Sequence, residues 1–286
     1  MAVRKDTLFE RFLAPIARLL VNEDEIRRLY ESIDWQATST RLSNPAVQYP
    51  EYYRNQNFHG IEGGYLTIGA ATSYDPITQY ALPPGEGLVR QGLLDQIQSY
   101  PRRILDLGCG TGSTTLLLKQ KFPQSEVIGL DLSPYMLVVA EQKSTRAGLD
   151  IRWRHGVAEQ TGLPAGSFDL VTASLLFHET PAPIAQKILQ ECYRLLSVGG
   201  EVLILDGSQK TLRQTEWLTQ IFEEPYIRDY AEGSVDAWMG AAGFDAVKTQ
   251  ELWWLHQVTR GVKPLPSRSP LFADLEAIDR GQWAVS

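Results

Sequence analysis

From residue 84 to residue 260 the apolar positions of this chain switch repeatedly between two periods. Short leucine-, isoleucine- and valine-rich runs at 103–107, 126–130, 150–153, 168–173 and 201–205 carry the signal of buried strands. Between them, apolar residues spaced three and four apart predict helices over 84–100, 112–122, 134–147 and 182–196; a loop follows the 150–153 run. Such alternation implies a parallel sheet with helices on both faces. Ser234 is placed to cap a helix over 235–242 and Gly243 to close it. Residues 246–252 and 254–260 then read as two strands with no room for a helix between them, so they pair antiparallel.

The flanks have a different texture. Leu8, Phe9, Phe12, Leu13, Ile16, Leu19 and Leu20 fall on one face of a helix over 6–21, and a second short helix follows near 24–33. This pair suits a cap on a domain. Its flanking Arg4, Lys5, Arg11 and Arg18 also suit a peripheral membrane contact by the first helix. Residues 44–85 are dense in aromatics (Tyr49, Tyr52, Tyr53, Phe58, Tyr65, Tyr74 and Tyr80), are broken by Gly60, Gly63, Gly64 and Gly69, and form neither a clean helix nor a clean strand. They read as a lid over a pocket or as a segment that seals the core. The expected organisation is an N-terminal helical and aromatic cap over 1–98, an α/β core over 99–260 and a proline-rich surface arm over 261–286.

Composition narrows the function. A net charge of -7 lacks the cationic footprint of a general nucleic-acid binder. The two cysteines, Cys109 and Cys192, are placed for neither a disulfide nor a metal, which points to a reducing, cytoplasmic compartment. No apolar stretch approaches a membrane span, and no His, Cys, Asp or Glu cluster has metal-ligand spacing.

The candidate chemistry begins at Asp106-Leu107-Gly108-Cys109-Gly110-Thr111-Gly112, where a strand ends in an acid and three alternating glycines before a helix. Glycine permits the tight turn and the close approach of a ligand, and the helix N-terminus offers unpaired N–H groups. The dinucleotide fingerprint G-x-G-x-x-G would need glycine at 113, where this chain has Ser113. Asp131, ending the second strand, can accept both hydroxyls of a ribose.

This loop resembles the first motif of the class I S-adenosylmethionine (SAM)-dependent methyltransferases. Later segments resemble further motifs of that family in order: Asp131-Leu132-Ser133-Pro134-Tyr135-Met136, the Phe168-Asp169 opening of the fourth strand, Gly199-Gly200, and Ala242-Gly243-Phe244. The similarity runs over about residues 100–260 and is nearest to the branch holding ubiquinone and menaquinone biosynthesis enzymes. It implies a Rossmann-like, seven-stranded, mostly parallel sheet ending in an antiparallel hairpin, with SAM as cofactor, S-adenosylhomocysteine (SAH) as product and no metal. It implies that Asp106 holds the amino acid end of SAM, with Gly108, Gly110 and Gly112 beneath it. It further puts the ribose on Asp131, the adenine by Leu132 and Met136, and Ser174 and Leu175 beside the sulfonium. In the family an acid or amide often precedes Ala158 and binds the adenine amino group. Here that residue is Val157, which leaves the contact to the backbone of Val157 and Ala158 or to Glu159.

Methyl transfer to oxygen or carbon needs alignment and a base near neutral pKa. His178 and Glu179, just past the fourth strand, and His59 in the aromatic segment are the catalytic candidates; the first two also suit helix capping. Tyr52, Tyr53, Tyr65 and Tyr74 are the expected wall of the acceptor chamber. The expected activity is methylation, at O or C, of a small apolar or aromatic metabolite. The alternatives are a SAM-fold binding or regulatory protein without catalysis and an NAD-type oxidoreductase. No motif reports oligomeric state.

Overall fold

A computed structural model describes residues 22–54, 56–58, 61, 63–81, 84–215 and 224–265. The helix expected over 6–21 with its membrane-contact alternative, His59, and residues 266–286 of the expected arm lie outside the described residues.

Seven strands form one sheet: β1 (Arg103–Leu107), β2 (Glu126–Asp131), β3 (Arg152–His155), β4 (Phe168–Ser174), β5 (Leu196–Gly207), β6 (Asp245–Leu252) and β7 (His256–Val262). Their order is β3-β2-β1-β4-β5-β7-β6. Neighbours from β3 to β5 are parallel, whereas β7 runs antiparallel to both β5 and β6. The expected mostly parallel sheet with a terminal antiparallel hairpin is therefore present. The chain reverses between β1 and β4, so the glycine loop after β1 and the loop after β4 open at one crevice, where ligands of such sheets bind.

The central strands are buried on both faces, which is why their sequences are nearly continuous apolar runs. One face packs Leu105, Leu107, Val171 and Ala173 against Ile188, Leu189 and Cys192 of a helix at Ala182–Leu195; the other packs Ile104, Val127, Leu170 and Leu203 against Val89 and Leu93 of a helix at Glu86–Asp95. Truncating one such fully buried leucine to alanine costs about 2–5 kcal/mol. The helix over 84–100 is shorter than its pattern predicts and stops at Asp95. The third strand lies two residues later than expected, as an edge strand with only His155 buried.

The N-terminal segment does not fold on a core of its own. Helices α1 (Glu23–Glu31), α2 (Trp35–Leu42), α3 (Glu51–Arg54) and α4 (Ile68–Ala81) lie in the region expected to form the cap. Trp35, Phe58, Tyr65, Ala70 and Ala71 share one cluster with Met136, Val138 and Val139 of the helix Pro134–Arg146. Polar pins complete the attachment. His155 Nδ1 accepts the Asn44 N–H at 2.9 Å while its Nε2 lies 2.9 Å from the Leu132 carbonyl. Lys143 Nζ meets Asp75 at 2.7 Å.

Helix α4 corrects the sequence reading of residues 44–85. Gly69, Thr72, Ser73 and Pro76 all sit inside it and all weaken a helix. Burial of Ala70 and Ala71 holds it instead, and the Thr72, Ser73 and Thr78 hydroxyls are satisfied on carbonyls a turn earlier. Tertiary packing has overridden propensity.

Candidate active site

The carboxyl ends of β1, β2 and β4 border a cleft with about 740 Å³ of empty space, its mouth included. The glycine loop shapes its floor. Gly110 has φ +54, and a Cβ there would meet nothing within 4 Å, so its face is open toward a ligand. Gly112 differs: a Cβ there would come within 2.6 Å of the Trp153 ring, so this glycine serves packing. Leu175, just past β4, holds φ +59, a conformation costly for a branched side chain, and its N–H is tied to the Leu205 carbonyl at 2.8 Å.

Ten of the twelve positions expected to bind cofactor line this cleft: Gly108, Gly110, Asp131, Leu132, Met136, Val157, Ala158, Glu159, Ser174 and Leu175. All four expected wall residues, Tyr52, Tyr53, Tyr65 and Tyr74, line it too. Gly112 does not, and neither does Asp106. The Asp106 carboxylate is enclosed, with one oxygen accepting from Thr115 at 2.6 Å and the other from Thr172 at 2.8 Å. Asp106 thus braces β1 against β4 and the helix at Ser113–Lys121, and so shapes the loop between. Leu130, Gly156, Leu176, Thr180 and Ile188 complete the lining without having been singled out. Leu176 and Thr180 flank predicted positions. Ile188, on the Ala182–Leu195 helix, reads in sequence as plain core.

The electrostatics divide the acids. Burial raises the Asp131 carboxyl to about 6, with Glu179 and Asp106 adding to it, although the N–H groups of Ser133 and Gly110 bond its two oxygens at 2.8 and 2.7 Å. Glu179, at the end of a 3₁₀ turn, lies in the cleft and accepts the Tyr65 hydroxyl at 3.0 Å. Burial, then the Glu179 and Glu224 charges, hold the Tyr65 hydroxyl well above its usual range, so it stays a donor.

His178 does not line the cleft. Its Nδ1 lies 2.6 Å from Asp206 Oδ1, and its Nε2 lies 3.9 Å from Glu179 Oε1. Burial works to lower its pKa, but the Asp206 charge and hydrogen bond, with Glu179 and Glu224, lift it to about 9. Such a shift favours the charged, imidazolium form of the ring at neutral pH. Of the catalytic candidates among the described residues only Glu179 lines the cleft, while His178 lies beside it, held on Asp206.

The residues fit a nucleoside sulfonium cofactor. Asp131 offers a buried carboxylate to hydroxyl donors, Gly110 leaves a cradle, and Leu132 and Met136 give apolar flanks. Glu159 Oε2 is a buried acceptor without a hydrogen-bond partner among the described residues. No group of three His, Cys, Asp or Glu among the described residues could hold a metal ion.

Comparison with known proteins agrees with this geometry. A family model described as a methyltransferase domain matches residues 104–200. The demethylmenaquinone methyltransferase of Thermus thermophilus is 38% identical over 110 residues, covering 38% of this chain and 49% of that protein. The enzyme of the same name from a Geobacillus species is 32% identical over 161 residues, covering 53% of this chain and 67% of that one. The crystal structure of a SAM-dependent methyltransferase from Aquifex aeolicus superposes with a TM-score of 0.53 at 18% identity, over 68% of this chain and 97% of that one, and so shares the fold. The chain spans about half the length of the first curated relatives it matches. The matches run through the glycine loop, β4 and the crevice between them, and with the β5-β7-β6 order they answer the oxidoreductase alternative: the chain belongs to the class I SAM-dependent methyltransferases, in the branch of the quinone-biosynthesis enzymes.

Proposed function

We propose that the protein transfers a methyl group from SAM to a small quinol-type aromatic ring. One observation carries this reading: a single cleft joins the strand-end residues suited to SAM with four tyrosines and a carboxylate suited to a hydroxylated aromatic acceptor. The demethylmenaquinone methyltransferases among the relatives supply the acceptor class.

When bound, SAM supplies an electrophilic methyl group. The residues of the chain do the rest. Asp131 accepts the ribose hydroxyls, and Gly108 and Gly110 let the backbone approach. Ser174 and the strained Leu175 border the reacting end. Tyr53, Tyr65 and Tyr74 stack on and edge the ring of the acceptor, holding it in line with the methyl group, and alignment supplies much of the rate. Glu179 accepts the proton of the acceptor hydroxyl, which makes the ring oxygen or its neighbouring carbon nucleophilic. His178, fixed by Asp206, orients Glu179 from 3.9 Å and is a positioning residue.

The test is SAH formation by the purified protein with SAM and demethylmenaquinol, alongside calorimetry with SAM and with NADH. Turnover with SAM binding and no NADH binding is expected. SAM binding without turnover on this or any quinol would instead favour the non-catalytic SAM-fold protein.

A further inference from the structure

Glu159 faces two ways. Its Oε1 accepts the Tyr52 hydroxyl at 2.9 Å, its Oε2 is buried without a hydrogen-bond partner among the described residues, and the residue lines the cleft. A buried carboxylate oxygen left unpaired is costly, and a donor that fills it is worth more than an exposed hydrogen bond. Tyr52 belongs to α3, a helix of one turn. So short a helix does not persist on its own hydrogen bonds. Its ties to the rest of the molecule run through Tyr52 and Tyr53. The Tyr226 hydroxyl donates to the Tyr52 carbonyl at 2.7 Å, and the Tyr53 ring stacks on Phe58 at 4.7 Å. Tyr53 is itself part of the acceptor wall.

We propose that Glu159 is a shared ligand that makes cofactor binding and ordering of the tyrosine wall one equilibrium. The inference rests on the reading that SAM occupies the cleft. One oxygen takes the adenine amino group, in place of the side chain that Val157 lacks, and the other holds Tyr52. An amino donor on Oε2 fixes the orientation of the carboxylate and so aligns Oε1 with the Tyr52 hydroxyl, and hydrogen bonds to charged groups are the strong ones. Burial and the Glu159 charge hold the Tyr52 hydroxyl well above its ordinary pKa, so it remains the donor throughout. Helix α3 then closes on the cleft with Tyr53 in place, and the acceptor chamber is complete only when the cofactor is present. By linkage, whatever Tyr52 adds to cofactor affinity, the cofactor adds to the order of α3.

The experiment uses the full chain, SAH, and S-inosylhomocysteine, which carries a carbonyl where SAH has the amino group. Calorimetry first sets saturating concentrations of each. Hydrogen exchange is then followed at the Tyr53 and Arg54 amides, which bond the Pro50 carbonyl at 3.0 and 2.9 Å. SAH is expected to slow their exchange about tenfold or more, and the inosyl compound, at equal saturation, is expected not to. Tyr52→Phe keeps the ring and loses the link, so it should bind SAH several-fold more weakly and show no slowing. Glu159→Gln should lose the preference for SAH over the inosyl compound, since its amide can donate to the carbonyl. Equal slowing by both ligands, or slowing retained in Tyr52→Phe, overturns the coupling while leaving the cofactor reading intact. Absence of SAH binding by the unaltered protein overturns both.

Discussion

Nδ1 of His178 lies 2.6 Å from Oδ1 of Asp206, whose other oxygen accepts the Phe177 N–H at 2.8 Å. The pair ties the turn after β4 to the end of β5, and through Glu179 it reaches the cleft. Its chemistry sets the first expectation. The folded pKa of His178, about 9, stands above the ordinary 6.5, so its stabilisation is full below pH 6.5 and lost as pH rises through 9. At about 1.4 kcal/mol per unit the span is on the order of 3 kcal/mol. Urea unfolding at pH 6.5 and 9.5 should show the unaltered protein losing more stability than His178→Gln, by roughly that amount. Equal losses would remove the imidazolium from the account.

Asp131 titrates with the opposite consequence for the ligand. Its folded pKa of about 6 lies above the ordinary 3.8, so the unliganded fold gains from protonation below pH 6 and bears a buried charge above it. A ligand that donates two hydroxyls to the carboxylate relieves that charge. SAH affinity should therefore rise between pH 5 and 7, then level off. In Asp131→Ala the affinity should be lower by at least tenfold and flat with pH, as expected for loss of charge-assisted hydrogen bonds worth about 1.5–3 kcal/mol. Calorimetry at three pH values decides it.

Two glycines of one loop should fail differently. At Gly110 the added side chain points into open cleft, so Gly110→Val should abolish SAH binding while unfolding changes by about 1–2 kcal/mol for the left-handed backbone. At Gly112 an added Cβ strikes Trp153 and approaches Ala140, so even Gly112→Ala should lower stability while the residual folded protein still binds. Thermal unfolding and calorimetry on both variants give a two-by-two outcome. The opposite pattern would reverse their assigned roles.

Glu179→Gln should lower kcat by a factor of about 10²–10⁴ and leave SAH affinity within about threefold. His178→Ala should act more weakly on kcat and shift its pH profile, since the ring acts through Glu179. If His178→Ala proves as damaging as Glu179→Gln with an unshifted profile, the histidine reaches the acceptor itself.

Asp106→Asn should register in stability before binding. Both carboxylate oxygens accept threonine hydroxyls, and an amide replaces one acceptor with a donor. A loss of about 1–3 kcal/mol is expected from an unpaired buried group. An SAH affinity loss of a hundredfold at unchanged stability would return Asp106 to the ligand.

The strand-end lining of the cleft was legible because its residues are consecutive. Gly108 to Gly112 and Asp131 to Met136 lie within short segments whose local geometry, strand then turn then helix, is dictated by glycine, Ser133 and Pro134. The wall was half legible: aromatic density singled out Tyr52, Tyr53, Tyr65 and Tyr74, but nothing in residues 68–81 announced α4. The surroundings of Asp106 and His178 were not legible, for a shared reason. Each side chain's direction is set by partners 66 and 28 residues away, Thr172 and Asp206.

The sequence by itself determined the fold class, the strand-end position of the cleft and most of the residues that line it, since hydrophobic period and glycine spacing act over a few residues at a time. The tertiary structure alone decided which acid lines the cleft and which is walled in, that His178 sits on Asp206, and that Tyr52 bonds Glu159. Burial and paired charges set those properties, and both depend on what the folded chain brings together from far apart.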